Sequence, residues 1–312
     1  MKTEGFQILL CVFFLATPRL SAGDSASGGI ENDYKLTAGI MSTASALAPL
    51  AVEEQSLFYN PAGLDYSRQN IELFLAYAPV GDKISHYVSA GFRYPVRNLA
   101  FGISYINLSD EGIFIRDSSP VAAGTFGFNS TFLGFNLACC FFDYLHAGIR
   151  LKAMSQTIYK HSGWGFGLDS GILFKTVNPY QFTKSPLAEI LNKLAIGIFL
   201  KNLLPYTLKL YEKKEQYPFQ INFGIQYTSP KIWYFRFEPM MAVSWKQDEQ
   251  EEISSGLMIM FNTWLQLNTG YAFKSQKPGI GIGVDLSHIA VNYAVSFVTD
   301  DIIYILDCKV RL

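Results

Sequence analysis

From about Asn70 to Leu312, apolar and polar residues alternate along the chain with a period of two. In the first run, Leu73, Leu75 and Tyr77 share one face, and near the C-terminus Ile280 and Ile282 alternate with glycines. Such alternation is typical of β-strands whose two faces meet different surroundings. We predict about 14 strands, an even number within the range of bacterial barrels. The count includes the less regular runs Phe128–Cys139, Leu203–Tyr211, Trp233–Trp245, Ile253–Phe261 and Trp264–Phe273.

The two faces of these strands favour a membrane barrel over a soluble sandwich. One face is rich in Phe, Tyr, Leu and Ile, whereas the other carries mostly Gly, Ser, Asn and Gln with few charges. Apolar residues make up 49% of the chain and charged residues only 16%, against about a quarter in typical soluble domains. No apolar run reaches the roughly 18 residues of a transmembrane helix. The predicted fold is therefore all-β, a membrane-spanning antiparallel barrel.

The last strand supports closure of the barrel. Tyr304, Leu306, Cys308, Val310 and Leu312 form an apolar face that continues to the terminal residue. A chain that ends within its own strand closes a barrel without a tail. The longest connections between the predicted strands are Asn107–Thr125 and Asn178–Asn192.

Residues 1–22 have the pattern of a secretory signal peptide. Lys2 supplies a positive charge, Ile8–Ala16 an apolar core, and Leu20–Ala22 a cleavage site with small residues. A buried N-terminal helix is the alternative, but the apolar run is short. Cleavage leaves Cys139, Cys140 and Cys308, an odd number that forms no disulfide scaffold, and no Cys/His cluster has zinc spacing. We therefore predict neither a metal site nor a cofactor.

Between the signal peptide and the barrel, residues 23–69 predict a loosely structured segment that plugs the lumen. Gly39 and Pro49 interrupt it, and one short helix is predicted at Ser42–Leu47. It ends in Ser56–Leu64 (SLFYNPAGL), where proline fixes its own φ and restricts the residue before it. We predict that Asn60, Pro61, Ala62 and Gly63 form a fixed bend, a hinge between this segment and the barrel, with Gly63 free to adopt positive φ.

No catalytic constellation is visible in the sequence. The four histidines are scattered, no serine lies in a nucleophile elbow, and the GIGIG run at 279–283 lacks a following helix. Net charge is −1 without a basic tract, which gives no support for nucleic-acid binding. We predict a protein that is not an enzyme.

Four basic residues on the polar faces are candidate ligand-binding groups: Arg93, Arg150, Lys152 and Lys201. Asp169 and Asp285 lie on the same faces. An isolated charge in a narrow lumen is costly, so these groups are expected to form ion pairs that make the barrel rigid. The alternative is that one or two of the basic groups bind the carboxylate of a fatty acid. Both interpretations stay open at the level of sequence.

The stretch Leu57–Leu64 (LFYNPAGL), which follows an export signal and leads into alternating strands, resembles the FadL-like outer-membrane transporters, including the PorV/PorQ branch. Gly165–Lys175, Ile196–Leu204 and Tyr217–Tyr227 are compatible with that family. The resemblance implies a 14-stranded barrel with its N-terminal segment folded into the lumen, and passage of hydrophobic molecules such as long-chain fatty acids. Thr37–Ala51 lacks the arginine that relatives usually carry there.

This resemblance implies a channel of the bacterial outer membrane that takes up hydrophobic small molecules by passive diffusion. The expected partners are the lipid bilayer, a hydrophobic ligand and, during biogenesis, the barrel-assembly machinery. An alternative of another class is a barrel that anchors surface or secreted proteins, as PorV-like relatives do. A general hydrophilic porin is disfavoured because few charges lie on the polar face and a plug precedes the barrel.

Overall fold

The computed structural model describes residues 36–66, 71–80, 85–115, 124–141, 144–175, 192–204, 207–210, 213–247, 249–298 and 301–312. The predicted signal peptide lies outside these residues, as do residues 23–35 and 67–69 of the predicted plug. In the described part of the chain, no helix has the length and apolar character needed to cross a membrane.

Sixteen strands are described. They are β1 Glu72–Val80, β2 Ser85–Val96, β3 Leu99–Ile115, β4 Gly124–Phe141, β5 Leu145–Ile158, β6 His161–Lys175, β7 Leu194–Leu204, β8 Thr207–Leu210, β9 Lys213–Gln216, β10 Gln220–Tyr227, β11 Phe235–Lys246, β12 Glu252–Phe261, β13 Leu265–Ala272, β14 Lys277–Asp285, β15 Ile289–Val298 and β16 Asp301–Arg311.

Fourteen of these strands form a closed antiparallel barrel, which confirms the predicted all-β barrel and its strand number. Each strand pairs with its neighbour in the chain, and β7 pairs directly with β10. The barrel closes where β1 meets β16, with Glu72 opposite Arg311 and Tyr77 opposite Leu306. The predicted closure by the last strand is therefore confirmed.

Side-chain burial follows the predicted alternation. In β1, Leu73, Leu75 and Tyr77 are exposed on the outside, while Phe74 and Ala76 are buried inside. Apolar side chains cover the outer face of the other strands in the same way, and Phe166 and Trp164 are among the most exposed. The barrel thus carries its apolar residues outward.

Three predictions about local elements are wrong. Leu203–Tyr211 is not a barrel strand, because β7 ends at Leu204 and β8 pairs only with β9 in a separate hairpin. The predicted connection Asn107–Thr125 is largely strand, since β3 continues to Ile115. The bulge between Asp110 and Ile113 interrupts the alternation there; such bulges insert a residue and break the period of two.

The third error concerns the short helix before the barrel. Helix α1 spans Ala38–Ser42, with Thr37 as its N-cap, rather than Ser42–Leu47. Ala44 and Ser45 have positive φ values of 49° and 72°, which end the helix because a right-handed helix requires negative φ. Three 3₁₀ helices follow: η1 Ala48–Leu50, η2 Glu53–Leu57 and η3 Pro61–Asp65.

Residues 36–66, which we call the inner segment, contact inward-facing residues all around the barrel. Helix α1 lies against β13 to β16, η1 against β6, β7 and β10, η2 against β1 to β3, and η3 against β2 to β6. Most of the inner segment is buried. Its short helices therefore bring polar groups of the segment to the side chains of the barrel wall.

Candidate functional site in the barrel lumen

Asn60 connects three parts of the lumen. Its side chain accepts a hydrogen bond from the Ala62 N–H (3.1 Å) and so caps η3. Pro61 occupies the first position of this helix, where proline is favoured. The Asn60 amide also donates to the carbonyl oxygens of Pro49 (2.6 Å), Ile172 (3.2 Å) and Ile198 (3.3 Å). One side chain thus joins η1 and η3 to strands β6 and β7.

Gly63 serves a purpose other than the one predicted. Gly124 is the only described glycine with positive φ, so Gly63 adopts no left-handed conformation. Instead, a Cβ atom on Gly63 would lie 2.0 Å from the carbonyl oxygen of Ala51. Gly63 allows two parts of the inner segment to pack backbone to backbone. The hinge role proposed for Asn60, Pro61, Ala62 and Gly63 stays a prediction, and all four residues are buried.

We expect replacement of Pro61 and Gly63 together, as Pro61→Ala with Gly63→Val, to loosen the inner segment. The valine collides with Ala51, and alanine no longer fixes φ at the start of η3. A nitroxide spin label at Gln55 should become more mobile, and the segment more sensitive to protease. Pro95→Ala with Gly127→Val, both in the wall, is the matched control. Unchanged label mobility together with unchanged protease resistance would contradict this prediction.

Glycines of the barrel wall provide the close approach between wall and inner segment. A Cβ atom on Gly148 would lie 2.4 Å from the carbonyl carbon of Pro61, and one on Gly197 would lie 1.9 Å from the Pro49 oxygen. On Gly171 it would lie 1.9 Å from Asn60 Oδ1. The glycines on the polar faces of these strands therefore leave space for the backbone of residues 49–61.

Arg150 and Lys152, two of the predicted ligand-binding residues, share Asp169 on the adjacent strand. Arg150 Nε donates to Asp169 Oδ2 (2.8 Å), and Lys152 Nζ lies 2.8 Å from Oδ1. Arg150 also donates to the Leu57 carbonyl of η2 (3.2 Å), and its guanidinium lies 5.7 Å from the ring centroids of Phe132 and Phe199. These charges are almost fully buried. Arg150 thus couples the wall to the inner segment.

Asn202 completes this cluster. Its backbone N–H donates to Asp169 Oδ1 (2.7 Å), and its side chain donates to the Pro218 carbonyl (2.9 Å) and accepts from Lys152 Nζ. Asn202 has φ of 56°, a conformation that asparagine tolerates better than most residues. The left-handed residue therefore turns its N–H toward the buried carboxylate.

Arg93 lies in a second cluster, near the end of the barrel where the chain terminates. Its Nε donates to Glu72 Oε2 (2.8 Å), and Nη1 donates to the Leu64 carbonyl (3.0 Å). On β16, which pairs with the other side of β1, Arg311 forms a bidentate pair with Asp285, both distances being 2.7 Å. The other predicted ligand-binding residue, Lys201, is buried in β7. The structure thus separates the four predicted basic residues between two regions of the lumen.

Lys309 ties the inner segment to the last strand. Its Nζ lies 2.8 Å from Glu54 Oε2 and 3.0 Å from Glu53 Oε2 in η2. Burial raises the pKa of Glu53, whereas the charge of the Lys309 ammonium and its hydrogen bond lower it. The lowering effects win, so the pKa of Glu53 lies below its ordinary value of 4.5. Ionised Glu53 consequently contributes stability above its unfolded pKa, and this contribution is lost as the pH falls through the lower folded pKa.

The Lys309→Met variant should reverse the pH dependence of the inner segment. Without the ammonium, burial outweighs the charges of Arg93 and Arg311 and raises the pKa of Glu53, so the buried carboxylate destabilises the segment at neutral pH and protonation in acid relieves this loss. The spin label at Gln55 should stay immobile in the wild type as the pH falls to 4.5 and become mobile only below it, whereas in the variant it should be mobile at neutral pH and less mobile in acid. Lys246→Met, which removes a partner of Glu249 at the end of β11 rather than a partner of the inner segment, is the control. Identical pH profiles for wild type and Lys309→Met would refute this explanation.

Apolar residues of the wall and the inner segment form two clusters. The first includes Leu57 and Leu64 of the inner segment with Phe74, Ile106 and Phe132 of the wall, and the second joins Ile40, Leu47 and Leu50 to Met240 and Met258. Tyr59 lies between them. Its hydroxyl accepts a hydrogen bond from the Leu36 N–H (2.9 Å), and burial raises its pKa.

A cavity of about 360 Å³ lies between the inner segment and the wall. Its lining is mixed, with Gln226, Glu238 and Arg236 among its polar side chains and Met258 and Met260 among its apolar ones. Arg236 Nε lies 3.0 Å from Glu238 Oε1, and Gln226 donates to Glu238 Oε2 (2.8 Å). A small molecule in this cavity would therefore contact both thioethers and paired charges.

Sequence reasoning missed the lumen groups supplied by the inner segment and by β16. Lys309, Arg311 and Asp307 carried a usable signal, since they oppose the apolar face of the last strand and so point inward. Asp307 accepts hydrogen bonds from the Ala38 N–H and the Asn292 amide, each at 2.7 Å. Glu53 and Glu54 gave no such signal, because a chain of short 3₁₀ helices has no regular periodicity.

No protein-family model and no curated protein matches this chain at the sequence level. Solved structures do match. CymD, a monoaromatic hydrocarbon channel, aligns with a TM-score of 0.62 and 10% identity over 89% of this chain and 97% of its own. The toluene transporter TodX of Pseudomonas putida gives 0.55 and 10% over 83% and 92%. A FadL homologue of Pseudomonas aeruginosa gives 0.54 and 10% over 88% and 97%.

At this identity the likeness establishes the barrel fold, which this chain has in common with a FadL homologue and two hydrocarbon channels. The predicted resemblance to FadL-like proteins is confirmed at that level. That this protein is not an enzyme stays a prediction, because a likeness at 10% identity carries only the fold.

Proposed function

We propose that this protein is a channel of the bacterial outer membrane through which hydrophobic small molecules diffuse passively. One observation carries the proposal: a closed 14-stranded barrel directs its apolar side chains outward and surrounds a folded inner segment. Such an outer face matches a lipid environment. The common fold with TodX and CymD, a toluene transporter and a monoaromatic hydrocarbon channel, supports passage of hydrophobic compounds.

In this proposal residues 23–69 act as a plug, residues 70–312 as the barrel, and residues 1–22 as an export signal that is removed. The inner segment is held by two kinds of bond. Hydrogen bonds come first: the guanidinium groups of Arg150 and Arg93 donate to its carbonyl oxygens, and its own Asn60 donates to the wall. Ion pairs come second, since Lys309 pairs with its carboxylates. A ligand would pass when part of this segment shifts, because its packing against the wall glycines leaves little space.

The pairing of the basic groups favours an uncharged ligand over a fatty acid. Arg150 and Lys152 already share the carboxylate of Asp169, and Arg93 pairs with Glu72. A fatty-acid carboxylate would have to displace one of these buried pairs, and breaking such a pair costs about 3–5 kcal/mol. Long-chain fatty acids remain a candidate class, and aromatic or aliphatic hydrocarbons are the better match to this lumen.

Purified protein in liposomes tests the proposal. We expect faster entry of toluene than into protein-free liposomes, and slower saturable entry, or none, of a fluorescent long-chain fatty acid. The Pro61→Ala/Gly63→Val variant should change the rate for toluene, which distinguishes passage through the lumen from leakage around the protein. Entry rates equal to those of empty liposomes for both compounds would refute the channel function.

The second candidate is a barrel that anchors surface or secreted proteins. The buried ion pairs around Asp169 favour it, because they make a rigid lumen rather than a binding site for a charged ligand. A partner that co-purifies stoichiometrically, with no uptake of either compound, would support the anchor and exclude the channel.

A further inference from the structure

Three buried side chains from three separate elements meet where η3 contacts the wall. They are Asp65 at the end of η3, Cys140 in β4 and His146 in β5. One potential ligand atom of each lies within 4.8 Å of the other two, and all three residues are at least 95% buried. Because 75 residues of chain separate Asp65 from Cys140, no spacing in the sequence indicates this group.

The orientation of His146 is set by a backbone carbonyl. Its Nε2 lies 3.2 Å from the Lys175 oxygen, and a carbonyl only accepts hydrogen bonds, so Nε2 carries a hydrogen. In the neutral imidazole Nδ1 then has a lone pair, yet it faces Asp65 Oδ1 at 2.8 Å. Two acceptors meet at this point, and a positive centre, a proton or a metal ion, is required between them.

A second observation concerns the other oxygen of the same carboxylate. Asp65 Oδ2 is buried and has no hydrogen-bond partner, and leaving a charged oxygen buried without a partner is costly. Carboxylate oxygen, imidazole nitrogen and cysteine sulfur are the three donor types that zinc binds in proteins. A ligating histidine also commonly donates its other N–H to a backbone carbonyl, as His146 does to Lys175.

We propose that Asp65, Cys140 and His146 bind one divalent cation of the zinc class, through a carboxylate oxygen, Sγ and Nδ1. Ligands at about 2.0–2.3 Å from one ion lie about 3.3–3.8 Å apart in a tetrahedral site. On binding, His146 Nδ1 and Asp65 Oδ1, which are 2.8 Å apart, therefore move slightly apart, and Cys140 Sγ moves toward the ion. At the same time, the thiol proton of Cys140 and the proton held between His146 and Asp65 are both released to water, so the site is neutral with the carboxylate, the thiolate, the neutral imidazole and the dication.

The ion would join η3 of the inner segment to β4 and β5 of the wall. A second group of acidic side chains among the described residues, Glu53, Glu54 and Glu72, serves a different purpose, because the cations of Lys309, Arg93 and Arg311 pair with it. The metal site goes beyond the proposed function, since it would exist in a channel or an anchor.

Cobalt and zinc binding to the full-length protein in detergent tests this site. After treatment with chelator, we expect one equivalent of Zn²⁺ to bind against a competing chelator, and Co²⁺ to give a thiolate charge-transfer absorption band. Cys140→Ser should remove the band, and His146→Asn should weaken Zn²⁺ binding at least about 10-fold. Cys139→Ser, which alters the adjacent cysteine on the other face of β4, and His161→Asn should leave both unchanged.

The wild-type result does not depend on whether a variant folds. Absence of the Co²⁺ band in the wild type overturns the proposal and leaves a proton between His146 and Asp65. A band or a zinc equivalent that survives Cys140→Ser, in protein whose gel mobility shows a folded barrel, also overturns it. Because neither measurement involves uptake, failure of this site is distinguishable from failure of the channel function.

Discussion

Gly197→Val is expected to expel the adjoining part of the inner segment from its position against the wall. A Cβ atom at residue 197 would lie 1.9 Å from the Pro49 oxygen and 2.7 Å from its carbonyl carbon. The atoms that the valine would meet belong to the backbone of Pro49, so no change of side-chain rotamer relieves the clash. Asn60 would lose its short bond to Pro49 in the same step. Overpacking of this kind costs about 1–3 kcal/mol where a segment stays in place.

The measured result should be a more mobile spin label at Gln55 and faster entry of toluene into liposomes, with an intact barrel. Gly127→Val is the matched control, since a Cβ atom there would lie 3.5 Å from the Asp110 oxygen, an ordinary contact. A Gly197→Val protein with an immobile label and unchanged entry would show that the segment does not depend on this contact. Faster entry in both variants would indicate a damaged barrel.

The barrel wall was predictable because its signal repeats along every strand. The same alternation recurs along each strand, with Leu, Phe or Tyr outward and Gly or Ser inward. A single exceptional residue therefore does not hide the period of two. The prediction for Leu203–Tyr211 was wrong because this run lacks such repetition. Its alternation is short, and a period of two does not specify whether a strand pairs with the barrel or only with the next hairpin strand.

The candidate site was less predictable because it depends on partners that are distant in sequence. Period two placed Arg150 and Asp169 on inward faces, but only the register of β5 and β6 brings them opposite each other. Gly63 shows the same limit in another form. Its sequence neighbours suggested a turn that needs positive φ, whereas the constraint comes from Ala51, twelve residues away. Local chemistry therefore identified the position but not the cause.

Asp169→Asn should produce the largest loss of stability of any single substitution discussed. The carboxylate is fully buried and holds two cations, Arg150 and Lys152, and it also accepts the Asn202 N–H. An amide neutralises neither cation. Removing one partner of a buried pair costs about 3–5 kcal/mol, and here two buried cations lose the carboxylate that they share. Urea unfolding in detergent, followed by tryptophan fluorescence, measures the change in the free energy of unfolding.

Two further variants distinguish charge from packing as the cause of that loss. Adding Lys152→Met to Asp169→Asn removes one uncompensated cation and should restore part of the stability, because buried charges replaced by apolar groups of similar size are often tolerated. Asp285→Asn is the control, since its partner Arg311 is bidentate but both side chains are partly exposed, and pairs that water reaches are worth about 0–1 kcal/mol. Equal losses for Asp169→Asn and Asp285→Asn, or no recovery in the double variant, would show that the Asp169 cluster does not stabilise the barrel through its charges. In that case Arg150 would act mainly through its contacts with Phe132, Phe199 and the Leu57 carbonyl, and the inner segment would be held by shape.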